Sequence, residues 1–240
     1  MKIDRVLEAH GIGIVQLSPP VVTPPTGIVT NGLLAYWNSK RGVNGTTWGN
    51  IAPATQGQYS AFVNGAIVTS DGMTFNSSTD HVQIPIPTEL KAVTSATFEM
   101  RVNSYGLFNQ GWADIVNQDG RELIWIGPDE LVLSGIFDAN KWLDHKGIYT
   151  PIKNVELYLT VTADLTTNRI TAHLHNPVTN TTVTDFYTTT IGTFSNGDFV
   201  WLSRTQTPYT GILDNIRLYN RVLTQAEISQ NWAVGVNLGI

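Results

Sequence analysis

Cysteine is absent from all 240 positions. Disulfides and thiolate metal sites are therefore excluded, and packing must supply the stability. Charge is scarce as well: Asp, Glu, Lys and Arg make up 14% of the chain, and the net charge is −5. The few Lys and Arg residues form no run, which argues against a nucleic-acid partner. No apolar stretch is long enough to cross a bilayer as a helix, so no membrane partner is expected. Met1 to Arg5 lead into no apolar h-region, and a secretory signal is not expected.

What remains is a chain rich in Thr, Asn, Gly and Val, a composition that favours strands and turns over helices. Its length suits one large β-sandwich. The most informative stretch is residues 211–228, GILDNIRLYNRVLTQAEI. It reads as a strand running directly into a capped helix. Period-2 alternation puts Ile212, Asp214, Ile216 and Leu218 on one face, with Leu213, Asn215, Arg217 and Tyr219 on the other. Thr224 and Glu227 have the spacing of a capping box, whose hydroxyl is worth about 1 kcal/mol. The predicted helix covers residues 225–232, followed by an uncharged tail, 234–240, expected to pack on the domain or a partner.

Residues 211–228 resemble the closing signature of the concanavalin A-like lectin/glucanase superfamily, in its laminin G-like, pentraxin-like branch. Residues 32–37, GLLAYW, are similar to that branch's opening strand. Residues 71–75 and 80–85 are similar to its next pair. The resemblance implies an all-β fold, a two-sheet antiparallel sandwich of jelly-roll type with a short C-terminal helix. Alternation supports further strands near residues 96–102, 122–126, 131–136, 155–163, 170–175, 182–187 and 199–203, separated by Gly, Pro, Asn or Asp turn chemistry.

Residues 1–27 read differently. Ile12, Ile14, Val15 and Leu17 lie in a candidate strand able to dock on a partner's open edge. Two Pro-Pro pairs then predict a stiff polyproline II spacer. The alternative is an ordinary free tail. Residues 28–240 form the expected sandwich domain.

For carbohydrate, exposed aromatics that stack on sugar faces are the residues to seek. Trp37, Trp125 and Trp201 sit in apolar alternation and are expected in the core. Trp48, Tyr105, Phe108, Trp112 and Trp142 lie in polar or Gly-containing segments and are the candidate sugar contacts. The alternative is that each fills a hydrophobic gap or packs on a neighbouring subunit. The resemblance also implies Ca²⁺ at a sheet rim, for which Asp71 and Asp80 are the candidate ligands. His173 and His175 share a strand face, but two ligands do not make a zinc site.

Catalysis in the glucanase branch uses closely spaced carboxylates on one strand, and none occurs here. Asp129 and Glu130 are adjacent, so a strand would point them to opposite faces. The expectation is a protein that is not an enzyme. Missing signal and missing cysteine suggest folding in a cytoplasm and release by other means, as for bacteriophage virion proteins. The expected role is a virion structural protein, a capsid decoration or tail accessory, with other virion proteins and further copies of itself as partners. The alternative is a lectin-like module that binds a cell-surface glycan.

Overall fold

The computed structural model describes residues 26–107, 113–118, 121–126, 131–133, 154–188, 199–203 and 208–238. The docking candidates Ile12, Ile14, Val15 and Leu17 lie outside them, as do Phe108, Trp112 and Trp142.

Among the described residues, two eight-stranded sheets build the domain. The first runs β14 (Thr181–Thr188), β13 (Arg169–Asn176), β12 (Glu156–Asp164), β8 (Ser95–Leu107), β16 (Tyr209–Tyr219), β6 (Gly72–Phe75) and β5 (Ile67–Thr69); β1 (Leu33–Trp37) also pairs with β16. The second runs β11 (Leu131–Leu133), β10 (Arg121–Ile126), β9 (Ala113–Gln118), β15 (Phe199–Leu202), β7 (His81–Pro85), β4 (Ala61–Asn64), β3 (Thr47–Trp48) and β2 (Val43–Asn44). The described pairs are antiparallel. The expected all-β antiparallel sandwich is therefore the observed fold.

Alternation explains the layer between the sheets. Met100 and Val102 of β8, Leu159 and Val161 of β12, Val82 and Ile84 of β7, and Leu202 of β15 all point into it. Their neighbours point outward. On β16, however, simple alternation fails. The β16–β8 register shifts between Asp214 and Arg217, and Asn215 takes φ of 51°. This bulge switches parity. Leu213, Ile216 and Leu218 enter the core, whereas Ile212 and Asp214 share the outer face with Arg217 and Tyr219. Asn215 is held there because its Oδ1 accepts from Tyr36 Oη at 2.7 Å and Asn38 Nδ2 at 2.8 Å.

The outer face of the first sheet is covered by α2 (Gln225–Leu238); a single turn, α1 (Ser39–Gly42), precedes it in the chain. The capping box forms as expected. Glu227 N donates to Thr224 Oγ1 at 3.3 Å, and Thr224 N donates to Glu227 Oε2 at 2.9 Å. The helix runs further than predicted and absorbs the start of the apolar tail. Gly235 allows this passage, since a Cβ there would come within 2.8 Å of the Tyr158 ring.

Beneath α2 lies a second apolar cluster that includes Ile28, Val29, Tyr36, Tyr158, Tyr219, Ile228 and Trp232. At its centre is a buried ion pair, Arg217 Nε to Glu99 Oε2 at 3.4 Å, each side chain 1% exposed. Asn231 of α2 donates to Glu99 Oε2 at 2.8 Å and to Tyr219 Oη at 3.0 Å, and its own Oδ1 accepts from Val29 N at 2.9 Å. Thr160 donates to Glu99 Oε1 at 3.1 Å and accepts from Trp232 Nε1 at 3.2 Å. Burial pushes the Glu99 carboxyl up; Arg217, Asn231 and Thr160 oppose that shift.

Removing one partner strands a buried charge. Arg217→Met is expected to cost about 3–5 kcal/mol in urea unfolding, and Glu99→Gln/Arg217→Met to recover most of that loss. Equal losses in the single and double variants would refute this role for the pair.

Candidate functional site

Beside α2 the same outer face opens into a cleft of about 440 Å³. Its wall is built from β8, which supplies Arg101, Asn103 and Tyr105, and from Glu156 at the start of β12. Asp71 comes from the β5–β6 turn and Val178 from the β13–β14 turn. These segments are far apart in sequence. The register brings them together: Asn103 pairs with Glu156 on one side and with Ile212 on the other.

Arg101 organises the cleft. Its Nη1 lies 2.9 Å from Glu156 Oε2, and its Nη2 lies 3.3 Å from Asp214 Oδ2 and also donates to the Asp71 carbonyl. The other Glu156 oxygen accepts from Tyr158 Oη at 2.8 Å. Glu156 is thus fixed at both oxygens while its side chain stays 32% exposed. Asp214 is fully buried, and its Oδ1 accepts from Ser39 N at 2.8 Å. It joins α1 to the back of the cleft.

Tyr105 presents the aromatic surface and is 41% exposed. Burial of its hydroxyl, then the charge of Asp71, raise its pKa against the opposing effect of Arg101. The phenol stays neutral and can donate a hydrogen bond. Asn103 Oδ1 and Arg101 Nε are buried in the wall with no hydrogen-bond partner among the described residues. A 440 Å³ cleft with one exposed ring and several fixed polar groups has the size and chemistry of a small-ligand site.

Of the sequence candidates, Tyr105 and Asp71 meet here. Trp48 does not. It is fully buried, because β3 pairs with β4 in a register that turns the indole into the core. Trp201 is displaced in the opposite sense. Val200 and Leu202 of β15 face the core, so Trp201 lies on the outer face, its ring 5.1 Å from His81. Phe62, Gln83 and Trp201 follow one another across β4, β7 and β15 in the same register row. Trp37 is buried as expected.

Asp71 and Asp80 cannot share a Ca²⁺ ion. They stand at opposite ends of β6, whose four residues extend about 3.3 Å each. Asp80 is spent on its own turn, accepting from Asn76 N at 2.8 Å and Ser77 N at 2.9 Å. No group of three His, Cys, Asp or Glu residues suited to a metal occurs among the described residues. His173 and His175 lie near Thr184 and Thr182 across the strand, and His175 stacks on Trp232 at 4.9 Å.

Solved structures share this sandwich. A Trypanosoma rangeli sialidase in complex with the inhibitor DANA aligns at a TM-score of 0.62 and 15% identity, over 91% of this chain and 36% of that one. A Trypanosoma rangeli sialidase in complex with sialic acid aligns at 0.58 and 14%, over 91% and 36%. The binding domain of botulinum neurotoxin DC in complex with SialylT aligns at 0.58 and 10%, over 87% and 52%. The likeness is one of fold. The chain spans about a third of the length of those sialidases. No protein-family model and no curated protein matches the sequence.

One expectation is overturned by these likenesses. The sequence reading excluded an enzyme because no strand carries paired carboxylates. Solved sialidases contain the same sandwich, so the fold gives no ground for that exclusion.

The cleft depends on Gly72. Its φ is 141°, and a Cβ would meet Ile212 at 2.6 Å and Arg101 Nη2 at 2.8 Å. Gly72→Ala is expected to cost about 1–3 kcal/mol in urea unfolding through backbone strain. Unchanged stability would show that the turn tolerates the extra atom.

Proposed function

We propose that this domain is a glycan-binding module whose saccharide lies in the Tyr105 cleft. One observation carries the reading: an exposed aromatic ring stands on the same wall as Asn103 and as Glu156, which is held at both carboxylate oxygens, in a cleft of ligand size. The carbon-bound hydrogens of a pyranose face pack on such a ring, while its hydroxyls pair with carboxylates and amides. The neurotoxin binding domain in complex with SialylT and the sialidase in complex with sialic acid support a carbohydrate over another small ligand.

A shallow site of this kind binds weakly on its own. Millimolar affinity corresponds to about −4 kcal/mol, and display in many copies can raise avidity by about 10² to 10⁴. The finer reading is ours from the sequence: residues 1–27 dock the domain to a phage virion and the copies act together. The two Pro-Pro pairs between residues 17 and 27 support it.

Tyr105→Ala is expected to weaken saccharide binding at least about fivefold on a glycan array and by calorimetry, given a stacking loss of about 1 kcal/mol or more. Tyr105→Phe should retain most of the binding. Equal binding by wild type and Tyr105→Ala would remove the cleft from the account.

A further inference from the structure

The charge of the cleft says which saccharides it takes. Among the described residues, two carboxylates, Asp71 and Glu156, line it against a single guanidinium, Arg101. Both terminal nitrogens of that guanidinium are engaged, and its unpartnered Nε is buried in the wall. Nη1 is held by Glu156 at 2.9 Å, and Nη2 by Asp214 at 3.3 Å and by the Asp71 carbonyl. Recognition of a ligand carboxylate uses two parallel N–H donors of an arginine presented outward. Here both terminal nitrogens face protein oxygens. Among the described residues, no other Lys or Arg lines the cleft.

Resting on the glycan-binding reading, we infer that this cleft selects uncharged saccharides and rejects sialylated or otherwise carboxylated ones. The selectivity departs from the ligands in the solved neighbours, one of which holds sialic acid. It follows from an arginine neutralised from within. Asp71 and Glu156 act on specificity twice, by accepting sugar hydroxyls and by repelling an anionic group placed among them.

The test is a glycan array that carries each neutral oligosaccharide beside its sialylated counterpart, read with the full chain at low salt and at 1 M salt. Wild type is expected to bind a neutral member at least about tenfold more tightly than its sialylated partner. That gap should narrow at 1 M salt, where the screening length falls to about 3 Å. It should narrow again in Asp71→Asn/Glu156→Gln, which keeps side-chain size and hydrogen-bonding capacity. Asp71→Asn alone, in an exposed turn, serves as the second variant should the double variant fold poorly, and should narrow the gap in part. Sialylated members bound as tightly as neutral ones by wild type would overturn the inference and leave the glycan reading intact. An unchanged gap in the folded variants would overturn the charge argument. No saccharide bound at all would overturn the glycan reading, and the inference with it.

Discussion

The Glu99–Arg217 ion pair is the constraint around which one face of this molecule is arranged. Two charges lie out of water beneath α2, each 1% exposed. Hydrogen bonds that satisfy such a pair offset its desolvation, and here they reach Glu99, whereas Arg217 Nε and Nη1 have no hydrogen-bond partner among the described residues. Thr160 and Asn231 make those bonds to Glu99, and each comes from a different element. Asn231 also ties down Tyr219 and Val29. Helix position, strand register and entry of the chain into the domain are thus specified by one polar cluster within an apolar surround. The pair contributes specificity of arrangement more than net stability, since an apolar replacement of both partners is expected to be tolerated.

The candidate site is the open continuation of that same surface. Along β8 the outward residues are Thr97, Glu99, Arg101, Asn103 and Tyr105. They pass from fully buried under the helix to 41% exposed at the cleft. Arg101 stands midway, with carboxylates of β12 and β16 as partners. The geometry of the cleft is therefore set by the same strand that anchors the helix. A binding group attached to a rigid strand loses little order on meeting its ligand, which suits a site of modest contact area.

Much of this fold was legible in the sequence, for physical reasons. Strand alternation reports burial directly on β7 and β13, whereas β8 and β12 bury residues on both faces, one against the second sheet and the other under α2. The Thr224–Glu227 cap is local chemistry and needs no tertiary knowledge. The failures have equally physical causes. Parity along β16 is lost at Asn215, because a bulge with positive φ leaves no mark in a hydrophobic pattern. Trp48 and Trp201 exchange places: Trp48 stands in a polar segment yet turns inward through the β3–β4 register, and β15, apolar at all four positions, does not show which of its faces is inner. The cleft was legible only in fragments. Tyr105 reads as a loop aromatic and Asp71 as a metal ligand, and only the pairing of β16 with β8 on one side and β6 on the other brings them to one site. Arg101 and Glu156 read as ordinary strand charges. Polar residues at alternate positions look the same whether that face meets solvent or a helix, so the sequence carries no separate signal for them.

The central claim is that ligand enters at the Tyr105 cleft of the first sheet. Backbone amide chemical shifts of ¹⁵N-labelled protein, followed during titration with a neutral oligosaccharide selected on the array, test it most directly. The account predicts that the shifting amides cluster at Asp71, Gly72, Asn103, Tyr105, Glu156 and Val178. Shifts centred instead on Phe62, Gln83 and Trp201, across the outer face of the second sheet, would contradict it.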